Sequence, residues 1–289
     1  MVKKVGLIAH WAFSVALILL CIEGLGRLLI HFRYGVPGKS YGLLKYDAEL
    51  GAAPRPNSYN TVAFLNNFGL RNREDVYNPK EENSLRIIAF GGSTTFGFNL
   101  SYEETFTEKL QQKFRKIPGY EKTQVLNAGI VSHSAGHNLI RMQRLVPELK
   151  PDYVILYEGI NEGINAEALK RDGVSLDHLL EQQKYGVLGR SLDQNRWLNR
   201  NSVIVKFVNY LRYIRIQENG IARYRNMDTL PTFQESQVHP WIIVNYKFVL
   251  REMIHLSCQH GATPIVIRYA TWGHPPLELF SDLSVDVAR

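Results

Sequence analysis

Leu85-Arg-Ile-Ile-Ala-Phe90-Gly91-Gly92-Ser93-Thr94-Thr95-Phe96-Gly97 is the stretch on which the fold turns. Its first six residues form a short, nearly continuous apolar run, the signature of a strand buried on both faces. The two glycines that follow permit a sharp turn and leave the Ser93 hydroxyl exposed at the sheet edge. Downstream the pattern alternates. Ser101-Tyr-Glu-Glu104 resembles a capping box and opens a helix through about Arg115. Gln124–Asn127 reads as a second strand, Asn138–Leu149 as a helix stopped by Pro151, and Tyr153–Tyr157 as a third strand. Tyr246–His260 is an amphipathic helix, and Pro264–Tyr269 a fourth strand. Strands alternating with helices predict a parallel sheet covered on both faces, with ligands bound outside the carboxyl ends of the strands.

Three turns meet that positional requirement. Gly91-Gly92-Ser93 follows the first strand, Asn127-Ala128-Gly129 the second, and Gly159-Ile160-Asn161 the third. A glycine after a strand brings backbone N–H close to a substrate, and an asparagine amide is a neutral donor suited to a developing oxyanion. Each feature alone is commonly only a turn or a helix cap; their order at three successive strand ends is the stronger signal.

The set resembles the SGNH hydrolases, the GDSL-like lipases and esterases. Gly91-Gly92-Ser93-Thr94-Thr95-Phe96-Gly97 is similar to the family's first block in its Gly-Gly-Ser variant, with Gly92 where Asp is usual. Gly129 corresponds to the second block, and Gly159 with Asn161 to the third. Asn66-Asn-Phe-Gly69-Leu-Arg71 and the apolar N-terminus resemble the membrane-anchored branch. The likeness covers residues 50–165 well and the last strand loosely. It implies a three-layer α/β/α domain with a flavodoxin-like parallel sheet. It further implies Ser93 as nucleophile and an oxyanion hole from the Ser93 N–H, the Gly129 N–H and the Asn161 side chain. The family's last block, Asp-x-x-His, supplies the general base. No Asp is followed three residues later by His in this chain, which ends soon after the fourth strand. The expectation is a C-terminally truncated domain whose base lies beyond Arg289. A serine hydroxyl without a base is a poor nucleophile. His274, in the loop after the fourth strand, is the weak substitute; His133 and His137 read as supporting or surface residues.

At the N-terminus, Val5 to Ile22 carries no formal charge, and about 18 such residues just span a bilayer. Lys3 and Lys4 precede it, and no small-x-small cleavage site follows, which favours an uncleaved anchor over a signal peptide. The expected organisation is an anchor over residues 1–33, a Gly/Pro/Asn-rich stalk over 34–84 packing on the domain edge, and a hydrolase domain over 85–289 with an insertion at about 165–240. The catalytic part is expected in the periplasm or outside the cell.

Of the 289 residues, 45% are hydrophobic and 21% charged, which excludes a disordered chain. Two cysteines, Cys21 and Cys258, exclude a disulfide framework. The net charge of +7 comes largely from Lys184–Arg225, a solvated basic face or an anion-attracting one. No nucleic-acid motif, metal-ligand spacing or dinucleotide fingerprint occurs, so no cofactor and no nucleic-acid partner are expected. Within the insertion, Val203-Ile-Val-Lys-Phe-Val-Asn-Tyr-Leu211 is apolar; it reads as a packed helix, a lid or a membrane-facing patch. The activity the resemblance implies is cleavage of an acyl or acetyl ester of a lipid or envelope carbohydrate through an acyl-serine. The alternatives are sugar O-acyl transfer by the same chemistry, and an inactive membrane-tethered envelope-binding domain.

Overall fold

The computed structural model describes residues 2–34, 40–60, 62–163, 202–205, 208, 238, 240–268 and 275–288. A 33-residue helix, α1 (Val2–Tyr34), opens the chain. Five short strands follow: β1 (Ser40–Tyr41), β2 (Leu44–Asp47), β3 (Gly51–Pro54), β4 (Ser58–Tyr59) and β5 (Phe64–Leu65). The sheet-forming part comprises β6 (Arg86–Gly91), α2 (Ser93–Phe96), α3 (Phe106–Phe114), β7 (Gln124–Asn127), α4 (Ala135–Leu149) and β8 (Tyr153–Tyr157). It closes with α5 (Pro240–Gln259), β9 (Thr263–Val266) and α6 (Pro275–Ala288).

The four longer-range strands pair in parallel in the order β7-β6-β8-β9. Every residue of β6 is buried, as its apolar run requires of a central strand. Alternate side chains serve opposite faces. Ile88, Phe90, Leu126, Val154 and Leu156 pack with Met142, Val146 and Leu149 of α4, Leu250 and Met253 of α5, and Phe280 of α6. Ile87, Ala89, Val125 and Ile155 pack beneath Phe106, Leu110 and Phe114 of α3. The result is a mixed α/β domain with helices on both sides of a parallel sheet. The order is that of the flavodoxin-like doubly wound sheet, whose switch point lies between its first and third strands, here β6 and β8.

Several expected boundaries shift. The Ser101/Glu104 capping box exists, but it caps a 3-10 turn at Tyr102–Glu104; α3 begins after it, with Thr105 accepting from the Glu108 N–H. Helix α4 starts at Ala135 rather than Asn138, with His137 reaching back to the Ser134 N–H in place of the usual Glu. Helix α5 begins at Pro240, six residues before the expected start, and β9 is a four-residue strand, Thr263–Val266, ending before Tyr269. Within residues 34–84, expected as a stalk packing on the domain edge, Leu70 and Val76 sit in the main core. Strands of two to four residues are too short to leave a period in the sequence.

The apolar window of α1 is His10–Leu29, 20 residues with mean hydropathy 2.0 and none of it buried. It is long and apolar enough to cross a membrane, and it lies further along the chain than the expected 5–22, taking in Glu23 and Arg27 as an i,i+4 ion pair of 2.9 Å.

Candidate active site

Ser93 is the first residue of α2, directly after β6, with Gly92 as N-cap. It is half-buried, and its hydroxyl makes no hydrogen bond among the described residues. Gly91 is sterically required, and Gly92 leaves room for the Asn161 side chain. A Cβ at Gly91 would lie 2.1 Å from Thr95 Oγ1 and 2.7 Å from the Tyr157 carbonyl; one at Gly92 would lie 2.7 Å from Asn161 Nδ2. The space a side chain at position 92 would enter is therefore taken by the Asn161 amide. Residues 92–94 and 157–162 line one recess, between the carboxyl ends of β6 and β8. The first and third expected turns thus meet at the switch point.

The second turn departs from expectation. Gly129 N–H donates to Asn127 Oδ1 (3.0 Å), and a Cβ at Gly129 would lie 2.2 Å from the Phe96 nitrogen. Gly129 is buried, pressed against the backbone of α2. It is glycine so that α2 can pack, and its N–H is committed inside the protein. Two residues of that loop, Val131 and Ser132, make no hydrogen bond among the described residues through their N–H groups. Ser132 is exposed and has φ of 68°. The turn around it closes through His133 N–H to the Ile130 carbonyl (3.2 Å). Its neighbour His133 offers its carbonyl to Asn161 Nδ2 at 2.5 Å. A carboxamide nitrogen has two N–H bonds, so one anchors Asn161 and the second is free to point into the recess. Nothing in the local sequence separates Ser132 from an ordinary loop serine; the left-handed backbone is what sets it apart.

Two buried glutamates that the sequence reading passed over hold these walls together. Glu162 Oε1 accepts from the Ala135 N–H (2.7 Å), the first residue of α4, where a carboxylate also suits the helix dipole. Glu158 Oε1 accepts from Asn138 Nδ2 (2.8 Å). With the Asn161–His133 bond, the 158–162 turn is tied three times to the 133–138 segment. Burial, reinforced by the charge of Glu162, holds the Glu158 carboxyl well above the usual carboxylate range; the Asn138 hydrogen bond and the Arg141 charge oppose this and are smaller. Burial also raises Glu162. Arg141, fully enclosed and donating to the Ala128 carbonyl, is drawn down to about 9 by burial and so keeps its charge at pH 7. The available cue was the spacing of Glu158 and Glu162, four apart around Gly159-Ile160-Asn161.

Arg71, the last residue of the Asn-Asn-Phe-Gly-Leu-Arg motif, braces the other end of α2. Its guanidinium donates to the carbonyls of Phe96 (2.5 Å), Gly97 (2.6 Å) and Leu100 (2.6 Å) and lies 4.6 Å above the Phe96 ring. Its backbone N–H donates to the Asn127 carbonyl (2.9 Å). Asn127 Nδ2 in turn donates to the Thr95 carbonyl (2.8 Å). Cations satisfy the free carbonyls at a helix C-terminus, so α2 is pinned at the end opposite Ser93.

The two nearby histidines are structural. His133 and His137 stack with ring centroids 4.8 Å apart. His133 Nε2 lies 3.0 Å from the Ala52 carbonyl, which only accepts, so the proton is on Nε2. Burial, then the neighbouring His137 and Arg141, hold His133 well below its usual value and therefore neutral. His137 Nδ1 accepts from the Ser134 N–H (3.2 Å). His274 lies outside the described residues, as does most of the insertion.

The chain matches no protein-family model and no curated protein sequence. Among solved structures it is similar to TesA, at 16% identity over 70% of this chain and 72% of that one, with a TM-score of 0.38. It is also similar to the psychrotrophic esterase EstA from Pseudoalteromonas sp., at 12% identity, 70% and 71% coverage and a TM-score of 0.39. The lipase/acylhydrolase from Enterococcus faecalis gives 15% identity, 71% coverage of each chain and a TM-score of 0.35.

Proposed function

We propose that this protein hydrolyses an ester bond with Ser93 as nucleophile and the Ser93 N–H and Asn161 amide as oxyanion donors. The observation that carries the reading is the recess at the β6/β8 switch point, where an uncommitted, half-buried serine hydroxyl opens a helix beside the Asn161 amide. In this reading Ser93 Oγ attacks the carbonyl carbon while its proton passes to a base. The carbonyl oxygen takes up negative charge between the two donors, and the alkoxide leaves with the proton. Water then attacks the acyl-serine by the same route in reverse. Fixed amide donors accelerate such a step because they need no reorganisation when charge develops. The base is a histidine outside the described residues, and His274 is the candidate within the chain. The substrate is an acyl or acetyl ester of a lipid or envelope carbohydrate. Helix α1 anchors the domain in the membrane, with the recess on the far side from Lys3 and Lys4. Delivery of the acyl group to a sugar hydroxyl uses the same intermediate.

A fluorophosphonate probe applied to the full chain in membranes tests this. Expected is one labelled site, abolished by Ser93→Ala and slowed about 10²–10³-fold by Asn161→Ala. Absence of labelling in the wild-type chain across pH 6 to 9 refutes the hydrolase reading and favours a binding domain.

A further inference from the structure

Glu23 is the one acidic residue of the apolar window of α1. A lone carboxylate at that position opposes burial in hydrocarbon. Here it is fully ligated by the chain itself. Oε1 accepts from the Val203 N–H (2.8 Å) and from Arg27 Nε (2.9 Å); Oε2 accepts from Ser202 Oγ (2.8 Å) and the Ile204 N–H (3.1 Å). Four donors, one of them cationic, match a carboxylate's acceptor capacity. The exchange is mutual, because the same contact satisfies backbone N–H groups of the insertion that lipid cannot. Gly26 makes room: a Cβ there would lie 2.9 Å from Val203 Cγ1 and 3.6 Å from Val203 Cβ. The contact lies six residues before the end of the window, about 9 Å along the helix axis. The faces left around it, Ile22, Leu25, Leu28 and Val208, are apolar and exposed.

We infer that residues 202–205 seat against α1 within the outer edge of the bilayer, so that this part of the insertion is a membrane-embedded element held by the Glu23 carboxylate. The partner surface is phospholipid with anionic headgroups. The sequence flanking the contact carries Arg196, Arg200, Lys206 and Arg212, and cationic side chains next to an embedded apolar segment favour such lipid. This concerns how the insertion is held and stands whether or not Ser93 is a nucleophile. It also gives the apolar residues 203–205 a role as a membrane contact rather than a core helix.

Two measurements on the full chain test it, in a background of Cys21→Ala and Cys258→Ala. The 3.6 Å separation at Gly26 and Val203 lies in the Cβ–Cβ range of disulfides. The pair Gly26→Cys and Val203→Cys is therefore expected to cross-link on mild oxidation in native membranes, with yield falling several-fold when Glu23→Gln is added. Separately, Val208→Cys carrying an environment-sensitive fluorophore is read in vesicles of phosphatidylcholine and phosphatidylglycerol. Expected is quenching by brominated lipid and protection from aqueous iodide. Failure to cross-link overturns the seating on α1; a cross-linked chain whose label is quenched by iodide overturns the seating in lipid. Carbonate extraction of the unmodified chain separates both from failure of α1 to enter the membrane at all.

Discussion

Replacing Arg71 by Ala removes three hydrogen bonds from a guanidinium that is 1% exposed. A hydrogen bond to a charged group contributes about 1.5–3 kcal/mol, so the gross loss is about 5–9 kcal/mol. Two effects reduce it. Burial already disfavours the cation, lowering its pKa, and water entering the cavity re-satisfies part of the freed carbonyls. The net expectation is about 3–5 kcal/mol, the cost typical of breaking a buried charged network. In a domain of this size that corresponds to a fall in melting temperature of about 6–20 °C. Arg71→Lys keeps the charge but not the planar fork that reaches three carbonyls at once, and roughly half the loss is expected. Stability is one half of the prediction. Because Arg71 holds the far end of a four-residue helix whose first residue is Ser93, loosening it misplaces the hydroxyl, and an error of about 1 Å costs on the order of 10²-fold in rate. Thermal unfolding of the detergent-solubilised full chain, paired with the rate of fluorophosphonate labelling, reads both quantities. An Arg71→Lys protein that melts with the wild type and labels at the wild-type rate refutes the brace.

Two further outcomes follow from the geometry. The methyl of Gly92→Ala meets the Asn161 amide 2.7 Å from its Cβ position and displaces it; the fold is expected to hold within about 1–3 kcal/mol while Ser93 labelling slows at least about tenfold, and an unchanged labelling rate sinks the role given to Asn161. Glu158 is held above the ordinary value of 4.5, so between that value and its folded pKa the native state keeps a proton that the unfolded chain has lost, and stability falls as pH rises through this window; Glu158→Gln, which preserves the acceptor for Asn138, is expected to flatten melting temperature against pH from 4.5 to 8, and profiles that run parallel would show the assignment to be wrong.

The sheet was legible because β6 and β8 are apolar runs bounded by turns, and their burial imposes that composition. That Ser93 and Asn161 line one recess was legible because each stands a short distance after such a run. The packing role of Gly129 was not, because a glycine that lets a substrate approach and one that lets a helix approach look the same in sequence. Only the Phe96 nitrogen 2.2 Å from its Cβ position tells them apart. Glu158 and Glu162 had a visible spacing but no visible burial; their partners, Asn138 and Ala135, lie about 20 residues or more away in the chain.

The two ends of the sheet show why the recess has the character of a site. At the amino end, buried charge closes on itself: Asp152 accepts from Lys80 (2.6 Å) and from the Arg86 N–H (2.7 Å), while the Arg86 side chain reaches Gln124, Leu149 and Tyr77. That network ties the edge shut. At the carboxyl end the buried polar side chains bond chiefly to backbone of the three turns. Arg71 takes carbonyls beyond α2, Asn127 takes Thr95 and Gly129, Glu162 takes Ala135, and Asn161 takes His133. Each bond fixes a turn and withdraws one donor or acceptor. At the recess the Ser93 hydroxyl, which is half-buried, and Glu162 Oε2, which is buried, make no hydrogen bond among the described residues. An unsatisfied buried group costs about 1–3 kcal/mol, so the Glu162 oxygen is a cost that the braced wall around it has to carry. In the proposed reaction the second N–H of Asn161 would be taken up by the developing oxyanion.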